Sequence, residues 1–308
     1  MLKHKEQGSL IYHLFAAITV CIWGTTFVST KILIDNGLNP QEIFLLRFIM
    51  AYIGIWLIAP KKFFAYSLKD EAQMLLCGLA GGSVYFLTEN TALETTTTTN
   101  VSFIVCTTPI ITALLMLIFN RKQQIRKSLA AGSIIALVGV SFLIFNGSFV
   151  LEISPLGDFL SLMAALSWAC YSIVVNHLSK RYPSAFLTRK VFFYGLITAL
   201  PLFIVHPWNF SLDCLAVPVI WTNLIFLGVI ASLMCFISWN YVLKNLGTIE
   251  TSNYLYLNPL STTICAYFIL NERPTVYSVA GAILVLSGLF IASGQYKRKR
   301  SKANSIRA

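Results

Sequence analysis

Ala131-Gly132-Ser133-Ile134, followed by Gly139, recurs as Ala280-Gly281-Ala282-Ile283, followed by Gly288. Both glycines return at the same offset of 149 residues. Other matches keep the same order along the chain. Pro109 returns as Pro259 and Ala92-Leu93 as Val242-Leu243 at an offset of 150, Trp23 as Trp168 at 145, and Arg47 as Arg189 at 142. Chance supplies any one such match. An ordered series with a drift of a few residues is what an internal repeat with unequal loops leaves behind.

The stretches around these landmarks are apolar. Of 308 residues, 56% are hydrophobic and 11% charged, against about 45–50% and about 25% in an ordinary soluble domain. So few charges cannot cover a water-facing surface, and lipid is the alternative solvent. At about 20 apolar residues per span, ten segments are expected, near 10–32, 41–59, 72–93, 98–119, 128–146, 156–177, 186–206, 217–242, 250–270 and 275–295. The expected fold is all-α and integral to the membrane, ten transmembrane helices in two repeats, 1–147 and 148–308, the second carrying a basic cytoplasmic tail. Five spans per repeat is an odd number, so the second copy enters the membrane upside down. After Lys3 and Lys5 the apolar run continues through Cys21-Ile22-Trp23-Gly24 with no small-residue cleavage site, so the first segment is expected to remain as span one.

The charges test this count, because Lys and Arg collect on the cytoplasmic side of short loops. With the N-terminus inside, 20 of the 23 basic residues fall on that side, leaving Lys31, Arg47 and Arg273. Seven of the twelve acids fall on the other: Asp35, Glu42, Glu94, Glu152, Asp158, Asp213 and Glu272. A miscounted span would invert every later loop, so both termini are expected in the cytoplasm.

Several function classes drop out. The net charge of +11 lies between apolar runs and forms no basic face for nucleic acid. The seven cysteines are scattered, six of them within apolar runs, with no metal-ligand spacing, and are expected to pack. No GxxxxGK[ST] loop is present to bind nucleotide, so no cofactor or metal is expected. A membrane enzyme would need clustered His or carboxylates, whereas the four His are dispersed and the adjacent acids Asp70-Glu71 are read on a loop. A sensor or interaction subunit would need longer tails. Inverted repeats build transporters, with the substrate site near the midplane between the copies. The reason is symmetry: one sequence packed two ways gives two states of similar energy, each open to one face, whose populations a ligand can shift.

Trp23-Gly24-Thr25-Thr26-Phe27 with Lys31, then Leu46-Arg47-Phe48, resemble the opening of the EamA repeat of the drug/metabolite transporter superfamily. Leu243-Lys244-Asn245-Leu246-Gly247, Asn258-Pro259, Asn271-Glu272-Arg273 and Gly281 with Gly288 resemble its closing pattern. The resemblance runs from about residue 12 to 294. It implies a ten-helix bundle that moves small metabolites, most often outward, across bacterial inner membranes. The first repeat departs from the pattern where Arg121-Lys122 stands in place of Glu-Arg, leaving Glu272 without an acidic counterpart.

Polar stripes at helical spacing mark the faces turned from lipid. They nominate Trp23, Thr26, Tyr85, Trp168, Tyr171, Trp239, Tyr254 and Asn258 as substrate-binding residues, an aromatic wall with a few polar groups. The alternative for Trp23 and Trp168 is plain packing, and for Asn258 satisfaction of carbonyls freed by Pro259. Gly78, Gly82, Gly132 and Gly281 read as points of close helix approach. Tyr12, Trp56, Trp208, Trp221 and Tyr296 read as interfacial anchors and Arg189 as a snorkelling one. Thr95 through Thr99 read as the outer turn between the third and fourth segments. Glu89, Arg47 and Lys31 are the gating or coupling candidates. Glu89 either pairs with Arg47 or Lys31 to close an outer gate, or couples protons, or snorkels outward with no role. The expected partners are a small-molecule substrate and lipid, with a homodimer left open. Within transport, the candidates are amino acids or related metabolites, or toxic amphiphiles; a phosphate-ester exchanger would want more cations at mid-span than Arg47 alone.

Overall fold

Caps and prolines decide where the helices of this chain begin. In the computed structural model, which describes residues 2–60, 63–96, 98–119, 127–145, 154–205, 207–209, 211, 217–270 and 275–292, Pro40 occupies the first turn of α2 (Pro40–Ile58). There Glu42 Oε2 accepts the Asn39 backbone N–H at 2.9 Å, satisfying a donor the helix cannot. The Ser67 hydroxyl caps α3 (Leu68–Gly78) by accepting from Asp70 N at 3.1 Å. Ser154 does the same for α8 (Pro155–Leu178), with Pro155 in the first turn. Asp70 and Glu71, read from sequence on a loop, therefore lie in the first turn of α3, where acids complement the helix dipole. The readings that rest on Arg121-Lys122, Glu152, Asp213, Asn271-Glu272-Arg273, Tyr296 and the basic tail lie outside the described residues.

The described residues hold helices and no strand. Six helical runs are long and apolar enough to cross a membrane: Leu10–Asp35, Pro40–Ile58, Asn100–Ile118, Pro155–Leu178, Ser184–Ile204 and Pro218–Leu246. Two more, Lys127–Leu143 and Val276–Ala292, are apolar but shorter. The first of the long runs lies within α1 (Leu2–Asp35), and the fifth joins α9 (Ser184–Ala199) to the short α10 (Leu202–Val205).

The helices are interrupted at matching places in the two halves. In the first half α3 passes through a π segment (Leu79–Val84) into α4 (Tyr85–Thr95). In the second, α11 (Pro218–Ile225) passes through a π segment (Phe226–Met234) into α12 (Cys235–Leu246). The first of these segments carries Gly81-Gly82 and the second Gly228, and the wider turn frees backbone carbonyls from the regular ladder. After α4 the chain turns at Thr96. Next, α5 (Thr98–Val105) ends two residues before α6 (Thr108–Phe119), whose second residue is Pro109. Likewise α13 (Thr248–Ser252) and a 3-10 turn (Asn253–Leu257) precede α14 (Asn258–Leu270), whose second residue is Pro259. Proline has no N–H to donate and is tolerated in a first turn, so each one restarts a helix where the sequence pattern alone reads a continuous span.

The packing shares this symmetry. α1 packs on α12 and α14 as α8 packs on α4 and α6, while α2 and α9 pack on one another. The repeated glycines bring α7 (Lys127–Phe145) against α15 (Val276–Ala292). A Cβ on Gly132 would meet backbone of Gly288 and Ala292 at 2.5 Å, and one on Gly139 would meet Val285 N at 2.6 Å and Gly281 O at 2.8 Å. Ascending α7 therefore descends α15. These corresponding helices run antiparallel, the arrangement expected of inverted copies.

Candidate functional site

The two π segments are gripped by the first helix of the opposite half. Trp23 Nε1 on α1 donates to the Ala231 carbonyl in the second π segment at 2.9 Å. Its counterpart is Ser167 on α8, whose hydroxyl donates to the Ala80 carbonyl in the first at 2.6 Å. Arg47 Nε donates to Ser232 Oγ at 2.9 Å, tying α2 to the second π segment. Irregular backbone at membrane depth is tolerated where protein groups satisfy it, and here one of those groups, Trp23, is a candidate site residue.

Where the halves meet lies a cavity of about 20 Å³. Its lining comes from both: Trp23, Thr26 and Phe27 of α1, Arg47 of α2, Tyr85, Phe86 and Glu89 of α4, Val105 and Thr108, then Trp168 of α8, Leu255 and Asn258. That volume holds about one water, so a metabolite enters only when helices part. The repeat-related Trp23 and Trp168 stand edge to face with ring centroids 5.1 Å apart. Tyr85 lies 4.7 Å from Trp168, and Trp239 lies 5.1 Å from Trp23. Phe236 fills the layer behind, 6.0 Å from Trp23 and 5.6 Å from Trp168.

Two opposite charges share this wall. Glu89 is buried and accepts the Tyr85 hydroxyl at 2.5 Å. Arg47 is buried with its guanidinium 4.3 Å over the Phe86 ring. They form no ion pair with each other. Trp168 Nε1, Trp239 Nε1 and Asn258 Oδ1 are buried with no hydrogen-bond partner among the described residues. Two donors and an acceptor thus stand ready at or beside the cavity.

Of the eight residues nominated from sequence for substrate, Trp23, Thr26, Tyr85, Trp168 and Asn258 line the cavity. Trp239 and Tyr171 sit behind it, both fully buried, with the Tyr171 ring 5.0 Å from Trp168. Tyr254 lies elsewhere, its hydroxyl 2.7 Å from His13 Nδ1. Of the gating candidates, Glu89 and Arg47 share the cavity, whereas Lys31 pairs with Asp35 on its own helix at 3.4 Å. Arg189, read as a snorkelling anchor, is instead buried. Its guanidinium sits 4.4 Å over Trp56 and donates to the Ala59 carbonyl. The sequence reading missed Phe86 and Thr108. Phe86 adjoins Tyr85 one turn before Glu89, and Thr108 precedes the repeated Pro109, so proximity to repeat landmarks was the available signal. A larger cavity, about 460 Å³, lies beside Asn39, Thr91, Glu94 and Asn209, away from all of these candidates.

Known proteins give the same reading over most of the chain. A crystal structure with 17% sequence identity superposes with a TM-score of 0.74, covering 93% of this chain and 98% of its own, which shows the fold. An "uncharacterized transporter" of Archaeoglobus fulgidus is 25% identical over 92% of this chain and 97% of its own length. A "probable amino-acid metabolite efflux pump" of Escherichia coli K12 is 25% identical over 94% and 97%. A "probable terminal-alkyne amino-acid exporter" of Streptantibioticus cattleyicolor is 23% identical over 94% and 95%. Residues 10–145 and 155–294 each match the EamA-like transporter family, and the chain, a multi-pass membrane protein that transports small molecules and is not an enzyme, belongs to it.

Proposed function

We propose that this transporter exports amino acids or closely related zwitterionic metabolites by alternating access. It works as ten spans in two inverted units, 1–147 and 148–308, in a bacterial inner membrane with both termini in the cytoplasm. The observation that carries the substrate class is the presence of both Arg47 and Glu89 on one small cavity walled by Trp23, Tyr85 and Trp168. Arg offers a planar fork for a carboxylate, a carboxylate with Asn258 Oδ1 accepts from an ammonium, and the rings take an apolar side chain. Buried and without an ion pair to each other, Arg47 and Glu89 gain more from a zwitterion than from a neutral solute. The amino-acid names of two relatives point the same way. The bias of basic residues supports the orientation.

Purified protein in proteoliposomes, offered a panel of amino acids, neutral amphiphiles and phosphate esters with and without a proton gradient, tests this. Amino-acid flux that the gradient accelerates is the expected result. Flux of amphiphiles alone overturns the substrate class, and flux indifferent to the gradient favours passive facilitation.

A further inference from the structure

Four ionic side chains that the cavity does not use meet at the start of α3. Asp70 and Glu71 come from the first half; Arg181 and Lys190 come from the second. Glu71 Oε1 accepts from Lys190 Nζ and from the Tyr194 hydroxyl, while Oε2 accepts the Ala65 backbone N–H at 2.8 Å. Asp70 Oδ2 accepts from Arg181 Nη1 at 3.0 Å and from the Tyr182 hydroxyl at 2.8 Å. Asp70 is 1% exposed and Lys190 3%. All these ties except that to Ala65 cross between the halves.

A second set of buried polar side chains runs from α9 to the cavity wall. Thr188, two residues before Lys190, accepts from Asn240 Nδ2 at 2.9 Å, and Asn240 Oδ1 accepts the Tyr171 hydroxyl at 2.6 Å. The Tyr171 ring meets Trp168 on the cavity wall. Ionisable side chains set between membrane helices mark substrate and ion routes. The repeat-related contact of α2 with α11 is built differently, Ile43 joining Ile220 and Leu224 in an apolar cluster with Leu33 of α1, Leu38 and Leu227. The α3–α9 contact is thus tied by ion pairs, and its repeat mate by apolar side chains.

We propose that the Glu71–Lys190–Tyr194 and Asp70–Arg181–Tyr182 ties form the gate between one membrane face and the central cavity, and part when the transporter opens to that face. The inference rests on the alternating-access reading above, and its orientation makes that face cytoplasmic. Cys77, buried at 1% exposure about two turns along α3 from Asp70, is a native reporter. Its alkylation by membrane-permeant N-ethylmaleimide is followed by peptide mass spectrometry in native vesicles. Because a lone buried charge destabilises the fold, both partners change together. E71Q/K190M is expected to speed Cys77 modification about fivefold or more, the usual lower bound for a shifted two-state equilibrium. The charge swap E71K/K190E is expected to restore protection. Unchanged Cys77 rates overturn the gate, and so does an equal rise at Cys77, Cys106 and Cys235 that the swap leaves in place, since that is unfolding. An impermeant maleimide separates the orientation. Reaction of E71Q/K190M in everted vesicles alone supports a cytoplasmic gate, whereas reaction in right-side-out vesicles alone keeps the gate and overturns the sidedness.

Discussion

Arg47 and Glu89 give the central cavity its chemistry, and each has a separable test. Arg47→Lys keeps the charge but loses the planar contact with Phe86 and the Nε bond to Ser232. It is expected to raise the half-saturating amino-acid concentration about tenfold or more, the scale of a charged hydrogen bond worth about 1.5–3 kcal/mol. Glu89→Gln keeps the size and the contact with Tyr85 but removes the charge. Its proteoliposomes are expected to lose acceleration by an imposed proton gradient; an unchanged rate and pH profile would remove Glu89 from both gating and coupling. Trp168→Phe retains the ring but deletes the unpartnered Nε1 donor. If Trp168 serves the substrate, uptake affinity falls while the thermal midpoint in detergent stays near that of the parent, whereas a residue that only packs gives the reverse. Both tryptophans were legible from the repeat. The place of Tyr254 beside His13 was not, because a stripe at helical spacing assumes an unbroken helix and the chain there is 3-10.

Each half carries a π segment in its third helical run and a proline restart in its fourth, set by the same repeat positions. Irregular turns cost backbone hydrogen bonds, and here Trp23 and Ser167 donate to carbonyls of the two π segments while Arg47 ties the second through Ser232. Such turns are natural hinges. The α7–α15 crossing is the opposite kind of element, fixed by small residues that let backbones touch. Gly139→Ala or Gly281→Ala forces Cβ to within 2.8 Å of partner backbone, an overpacking of about 1–3 kcal/mol, read as a lowered thermal midpoint in detergent. Gly54→Ala meets only the Leu233 side chain, which can turn aside, so its midpoint should move far less. The glycines and prolines were visible in the sequence. The π turns were not, since hydropathy is blind to a helix that widens without leaving its path.

At the scale of the molecule, the central cavity has room for about one water, so the helices around it must part before a metabolite can enter. Reporter fusions at each end of the chain are expected to place both on the cytoplasmic side; ends on opposite sides would leave an odd number of spans and defeat two five-helix units. The sequence by itself determined the membrane as solvent, the repeat and the transporter family. The first two follow from composition and from landmarks that recur in order, the family from motifs that resemble the EamA repeat, and none needs coordinates. Tertiary structure alone decided that Glu89 and Arg47 share one cavity without pairing, that Lys31 belongs to Asp35, and that Arg189 is buried on Trp56. It alone brought Asp70 and Glu71 to Arg181 and Lys190. The physical reason is that a span must be apolar whichever way it turns, so its pattern says that a polar group avoids lipid but not which group receives it, whether one turn along the same helix or more than a hundred residues away.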